Sequence, residues 1–152
     1  MILKRKNRGQ YCRLFAMNIL KTHFFPRTGE ILNIDIKSDN EVHILRFNPM
    51  EFGILVDNVI YNSLKARAHN IIINVYGREG ETIIEFMDDG VGLNSNITST
   101  DKIFELGYTT TNRFGLVGLV LMLKKIVEDM GGVVTVDNEM KTGFKIEMRI
   151  RQ

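Results

Sequence analysis

Hydrophobic and polar positions divide the chain into stretches with two different periods. Residues 9–22 carry Tyr11, Leu14, Phe15, Ile19 and Leu20 at helical spacing, and Pro26, Thr28 and Gly29 close that stretch. Residues 31–36 and 42–47 alternate apolar and polar around Ser38-Asp39-Asn40, which predicts a hairpin. From Pro49 to Ala68 the apolar positions are Phe52, Leu55, Val56, Val59, Ile60 and Leu64, one face of a long helix. Pro49 suits its first turn, where the missing N–H would have no helical partner anyway. Strands over 71–76 and 82–87 flank Gly77-Arg78-Glu79-Gly80. Residues 94–114 hold no sustained period and are rich in Asn, Ser and Thr. A stretch of about twenty such residues inside a domain reads as a functional lid or a disordered loop. A helix over about 115–130 stops at Gly131-Gly132. Residues 133–136 and 144–150 form a last strand pair around Lys141-Thr142-Gly143.

The order is therefore helix, hairpin, helix, hairpin, lid, helix, hairpin. Strands that come in pairs do not build an all-parallel sheet. The expected class is α+β: a two-layer sandwich with a mixed sheet and three helices on one face. A basic segment and helix over 1–30 belong to the same domain as the main body, 31–152.

Composition narrows the function classes. A length of 152 residues is one domain's worth, and 44% hydrophobic with 25% charged residues is ordinary globular content. A net charge of +2 offers no strong field for nucleic acid. The single cysteine, Cys12, excludes an internal disulfide framework and a cysteine-based zinc site, and fits a reducing compartment. Lys4, Arg5, Lys6 and Arg8 lead into no apolar signal core, so they read as a solvated chain start. The longest apolar run, 116–123, is broken at Gly118 and falls short of the roughly 20 residues of a membrane span. The expected place is the cytoplasm, either free or as the cytoplasmic part of a membrane-anchored protein.

Three segments carry candidate chemistry. Asp88-Asp89-Gly90-Val91-Gly92 follows directly on a strand. A carboxylate at a strand end can accept a hydrogen bond from an exocyclic amine such as that of adenine. Gly90 and Gly92 let the backbone turn sharply and approach a planar ligand. Alone, the segment reads equally well as an acidic turn, and it has too few oxygens at set spacing for a calcium loop. Asn58 and Asn62 stand four apart on the predicted helix and share a face with Lys65 three residues further on. Asparagine is a mediocre helix former. An amide oxygen is, however, a hard neutral ligand for Mg²⁺, an ion usually completed by waters and phosphates. The plain alternative is a solvated polar face. Gly115 and Gly118 lie at the start of the last helix, where N–H groups can meet phosphate oxygens, or where they simply loosen the helix start.

Together and in this order, the segments resemble the ATP-binding domain of the GHKL superfamily, shared by sensor histidine kinases, type II topoisomerases, ninety-kilodalton heat-shock chaperones and MutL proteins. The likeness is greatest to the catalytic domain of the histidine kinases. Residues 58–66 resemble the N-box, N-x-x-x-N-[AS]-x-x-A, and residues 88–92 the G1 box, D-x-G-x-G. Ile103-Phe104-Glu105-Leu106-Gly107-Tyr108-Thr109-Thr110 resembles the F-box, and residues 124–132 the helix after the G2 box. The likeness covers about residues 30–150.

This resemblance implies a Bergerat-type fold and Mg-ATP as ligand. It implies that Asp88 accepts the adenine amine, Gly90 and Gly92 shape the base pocket, and Asn62 holds Mg²⁺ with support from Asn58. Lys65 would approach a phosphate and Phe104 would anchor the lid. Arg113, by its charge and place, would meet the γ-phosphate, and Gly115 and Gly118 belong to the G2 segment. The implied partners are a histidine-bearing dimerisation domain and a response regulator. The expected activity is that of a protein-histidine kinase domain in two-component signal transduction, cut from or lacking its dimerisation helices. None of His23, His43 or His69 stands in a phosphoacceptor motif.

Two departures bear on the branch. Val117 and Leu119 replace glycines of the G2 pattern G-x-G-x-G. This favours an alternative reading, an eroded nucleotide-binding or protein-interaction module of the same fold. Asn58 stands where topoisomerases and chaperones carry a glutamate that activates water, and an amide is no general base at neutral pH. Asp57 lies about 100° round the helix. A histidine acceptor needs less help, being a nucleophile already at neutral pH. A kinase is therefore expected over a hydrolase, with an anti-sigma-type serine kinase as a further alternative.

Overall fold

The computed structural model describes residues 10–11, 32–39, 41, 43–45, 47–92, 116–137 and 142–151. Its elements in chain order are β1 (Gln10–Tyr11), β2 (Asn33–Ser38), β3 (Ile44–Leu45), α1 (Pro49–Lys65), β4 (Asn70–Arg78), β5 (Glu81–Asp88), α2 (Leu116–Asp129), β6 (Gly132–Asp137) and β7 (Phe144–Arg151). Five strands form a mixed sheet in the order β2-β4-β5-β7-β6, and β1 pairs with β3 in a separate two-stranded sheet. Only β2 and β4 run parallel; the other neighbours are antiparallel. The class is α+β, a mixed sheet with helices on one face, as the pattern of segments implies.

Helix α1 is set locally. Asn48 caps it by accepting from the Met50 N–H at 3.0 Å, Pro49 fills the first turn, and Glu51 places negative charge at the positive end of the helix dipole. Phe47 before the cap meets Phe52 inside the helix, ring centroids 5.0 Å apart, and this staple fixes the entry angle. At the far end Ala68 N–H reaches back to Ser63 O and Arg67 N–H to Leu64 O, with Arg67 at φ 59°. That is a Schellman close with arginine in a left-handed position usually given to glycine.

The core lies between the two helices and one sheet face. Phe52, Leu55, Val56, Val59 and Ile60 of α1 and Leu123, Ile126 and Val127 of α2 pack on the inward row of the strands. Register builds this row: Ile36, Ile73, Phe86, Ile146 and Val136 are cross-strand neighbours, as are Ile34, Ile71, Asp88 and Phe144. Asp88 thus stands between Ile71 and Phe144 on the inward row, at the end of β5, and faces the helical layer. The opposite face is mixed, with Asn74, Glu85, Lys145 and Glu147 beside Ile72, Ile83 and Met87. There the buried Glu85 accepts from Asn74, Tyr76 and Lys145, the last at 2.7 Å. Burial raises its pKa, but the Lys145 and Asn74 bonds outweigh this and hold it below the ordinary carboxylate value. Those three donors satisfy it on the face away from α1, so its role is structural.

Three expectations need correction. The hairpin of 31–36 with 42–47 does not form: β2 pairs with β4, and β3 leaves the main sheet to pair with β1. The turn residue Asp39 is the cause. It accepts from Gly77 N at 2.7 Å and Glu41 N at 3.2 Å, and contacts His43 Nε2 at 2.6 Å, which folds the chain across the end of β4 instead of back along β2. The helix over 9–22 cannot include Gln10 and Tyr11, which are strand; the remainder lies outside the described residues. Third, the loop between β4 and β5 is only Glu79-Gly80, both at positive φ, the two-residue turn matched to strand twist. Among the described residues there are two helices. None of them is long and apolar enough to cross a membrane.

Candidate functional site

The end of β5 and the last turns of α1 are joined side chain to side chain. The buried Ser63 donates from Oγ to Asp88 Oδ2 at 2.7 Å, and Gly90 N–H donates to Asp88 Oδ1 at 3.0 Å. Asn62, next to Ser63, is half-buried. The sequence-predicted base acceptor is thus bonded to the residue that follows the predicted metal amide in the chain.

Both asparagines are held by their own helix. Asn58 Nδ2 donates to Ile54 O at 2.7 Å and Asn62 Nδ2 donates to Asn58 O at 2.8 Å. Each bond uses one of the two amide N–H donors and leaves the Oδ1 acceptor to another group. Such an oxygen fits a hard cation that keeps several waters and is completed by phosphates. Among the described residues no group of three or more His, Cys, Asp or Glu is placed to hold a metal. Any ion here would depend on the amide and on ligand oxygens. Lys65 is exposed, with its ammonium 5.0 Å from the Tyr61 ring centroid, a cation–π contact on the outer flank of α1. Asp57 is exposed.

The glycines of the predicted G1 segment serve close backbone packing. A Cβ on Gly90 would lie 2.8 Å from both the Ala66 carbonyl oxygen and its side chain, so the loop can lie on the end of α1 only with glycine there. Val91 N–H donates to Ala66 O, and Gly143 N–H donates to Gly90 O at 2.8 Å. Gly143, at φ +88°, has no room for a Cβ because the Asp88 carbonyl oxygen fills that place. Gly92, at φ +73°, packs against Gly143 O. Three segments remote in sequence thus meet around Asp88.

Asp89 locks the same junction from outside. Its Oδ1 accepts from His69 N–H at 2.7 Å and Asn70 N–H at 2.9 Å, and its Oδ2 accepts from Asn70 Nδ2 at 2.6 Å. The Asn70 bonds foremost lower its pKa to about 2. The two adjacent acids are therefore divided in role: Asp88 looks toward the helical layer, and Asp89 ties the turn after α1 to the strand end.

Of the remaining sequence-predicted residues, Gly118 lies in the first turn of α2. Its N–H is still among those without a helical acceptor. Phe104, Arg113, Gly115 and the whole 94–114 span are outside the described residues. Two further residues touch Asp88. Ser63 fills the [AS] position of the N-box, which marks it as small but not as a donor to Asp88, and Gly143 reads only as a turn glycine.

The family model for histidine kinase-, DNA gyrase B-, and HSP90-like ATPases matches residues 48–152. No curated protein matches the chain by sequence. Among solved structures, the catalytic domain of histidine kinase ThkA superposes with a TM-score of 0.73 at 17% identity, covering 94% of each chain. The mycobacterial sensor histidine kinase MprB gives 0.70 at 19% identity, covering 93% of this chain and 95% of that one. The histidine kinase domain of the E. coli osmosensor EnvZ gives 0.70 at 12% identity, covering 95% of this chain and 88% of that one. At such identities the superpositions speak for the fold, and the family match over more than half the chain places it: this protein belongs to the histidine kinase-, DNA gyrase B-, and HSP90-like ATPase family.

Proposed function

We propose that this chain is the Mg-ATP-binding catalytic domain of a sensor histidine kinase and donates the γ-phosphoryl group to a histidine on a separate dimerisation domain. The observation that carries the reading is the Ser63–Asp88 bond, which brings the carboxylate at the end of β5 beside the helix turn bearing Asn62.

The division of labour follows from the side chains. An ionised Asp88 only accepts, so it selects the exocyclic amine of adenine over a carbonyl at the same place. The Asn62 oxygen would hold Mg²⁺, and the ion would supply neutralisation of phosphate charge. Asn58, one turn earlier, supports the same face. Lys65 leaves Tyr61 to meet a phosphate, a small cost for an exposed cation–π contact. In the transfer, the bond from the γ-phosphorus to the departing ADP oxygen breaks as a bond to the imidazole nitrogen forms. Positioning and charge neutralisation supply most of the catalysis. Asn58 cannot take a proton from water and Asp57 is exposed to solvent, so ATP hydrolysis is slow. A response regulator would receive the phosphoryl group next.

A second reading rests on Val117 and Leu119 in the first turn of α2. Where the family pattern has glycine, bulkier residues limit the approach of backbone to phosphate. The chain would then be an eroded binding module of the same fold.

Titration of the whole chain with a fluorescent ATP analogue, with and without Mg²⁺, tests both. Saturable binding that Asp88→Ala abolishes supports the kinase reading. Its absence in the native chain supports the eroded module. Incubation with labelled ATP and a histidine-bearing helical domain, against a serine-bearing partner, then separates a histidine kinase from an anti-sigma-type serine kinase.

A further inference from the structure

A carboxylate at the mouth of a strand can swing about two torsions, and base selection requires it to hold one orientation. Among the described residues two donors reach Asp88, and they differ in kind. Gly90 N–H at 3.0 Å lies two residues further along the same loop and moves with Asp88. Ser63 Oγ at 2.7 Å comes from α1, twenty-five residues away in sequence. Only the serine bond registers the carboxylate against the helix that carries Asn62.

The hydroxyl has a choice of acceptor. Ser63 Oγ lies 3.1 Å from Val59 O, the back-bond common to helical serines, as well as 2.7 Å from Asp88 Oδ2. One hydroxyl proton serves one acceptor at a time, and the shorter, charge-assisted bond is the stronger. Ser63 is only 2% exposed, so solvent does not compete for it. With one donor on each oxygen, the plane of the carboxylate is fixed and each oxygen keeps a lone pair for a ligand.

We propose that Ser63 is a positioning residue for base selection: it holds Asp88 in the acceptor orientation and sets its distance from the metal-binding turn. The inference rests on the reading of Asp88 as the adenine acceptor and adds the residue that makes that acceptor selective.

The test compares ATP with purine riboside triphosphate, which lacks the exocyclic amine, by competition against the fluorescent analogue at fixed Mg²⁺. The native chain prefers ATP by on the order of tenfold, the range expected for a hydrogen bond to a charged group. Ser63→Ala lowers this preference to under about threefold, chiefly by weakening ATP. Alanine is the best helix former, which partly offsets the lost bond to Asp88. The midpoint of thermal unfolding of this variant therefore falls by a few degrees at most. Ser63→Cys keeps the volume but donates weakly, and gives the same loss of preference. An unchanged preference in both variants overturns the inference while leaving Asp88 as acceptor. Equal weakening of both nucleotides also overturns it, since that is the signature of a merely structural serine. A native chain that binds both nucleotides equally overturns this inference and the adenine reading together.

Discussion

Asp89 and Asn70 grip each other three ways: Asn70 gives its backbone N–H and its side-chain amide to the two carboxylate oxygens, and its carbonyl accepts from Asp89 N–H at 3.3 Å. The pair closes the turn after α1 onto the exit of β5, directly behind Asp88. Because the side-chain bonds favour the charged acid, the folded pKa falls from 3.8 to about 2. A lowered acid contributes stability above its unfolded pKa and loses it as pH falls through the folded one. The native chain is therefore expected to exceed Asp89→Asn in stability by a constant margin above about pH 5, narrowing from about pH 4 and vanishing only below about pH 2. Urea unfolding of both across that range measures it. A margin that stays constant down to pH 2 refutes the assignment.

Asn62 and Asp88 are expected to fail differently. Asn62→Ala removes the Mg²⁺-dependent part of ATP affinity, so binding becomes nearly the same with and without the ion. Asp88→Ala removes base selection whether or not Mg²⁺ is present. Titrations of each variant under both conditions separate the two. Identical losses would mean that both residues act only on the fold.

Gly143→Ala drives a methyl group into the Asp88 carbonyl and forces a left-handed φ on alanine. A cost of about 2–4 kcal/mol is expected, at the upper end for a point change. Thermal unfolding should drop by several degrees, at about 2–4 °C per kcal/mol for a chain of this size. ATP affinity falls with it, because the same contact seats Asp88.

His43 anchors the other end of β5. It is 1% exposed, with Nε2 2.6 Å from Asp39 Oδ1 and Nδ1 3.3 Å from Thr82 Oγ1. Burial raises the pKa of Asp39, but the bonds from His43, Gly77 and Glu41 together outweigh it and leave it below normal. His43→Ala empties a buried site and strips partners from buried polar atoms, a loss of about 2–4 kcal/mol. The residue lies about 20 Å along the strand from Asp88 at the usual rise per residue. Nucleotide affinity per folded molecule is thus expected to be unchanged, and calorimetry with equilibrium binding on the same samples decides the point.

Arg67 occupies a left-handed position, φ 59°, at the close of α1. Arg67→Gly is expected to stabilise the chain by about 1 kcal/mol through relief of that conformation. Chemical denaturation measures the gain; a loss would show that the arginine side chain repays its strain.

What the sequence determined by itself was local. Helix α1 declares itself through a first-turn proline and six apolar positions on one face, all within 17 residues. The β4–β5 and β6–β7 pairs join neighbouring segments, and the D-x-G-x-G turn and the two asparagines are contiguous signals. Tertiary structure alone decided the partner of β2. Its alternation states that one face is buried but not which strand lies alongside, and the polar turn after it suited a hairpin as well as the clasp of Asp39 on Gly77. The same holds at the site. Asp88 and Asn62 are visible in one dimension, whereas Ser63 and Gly143 matter only because folding brings them to Asp88 from remote parts of the chain. Periodicity and turn chemistry act between near neighbours and are written in order along the chain. The choice of which donor meets which acceptor across the layers is settled by packing, where a hydroxyl or a missing Cβ acquires its meaning.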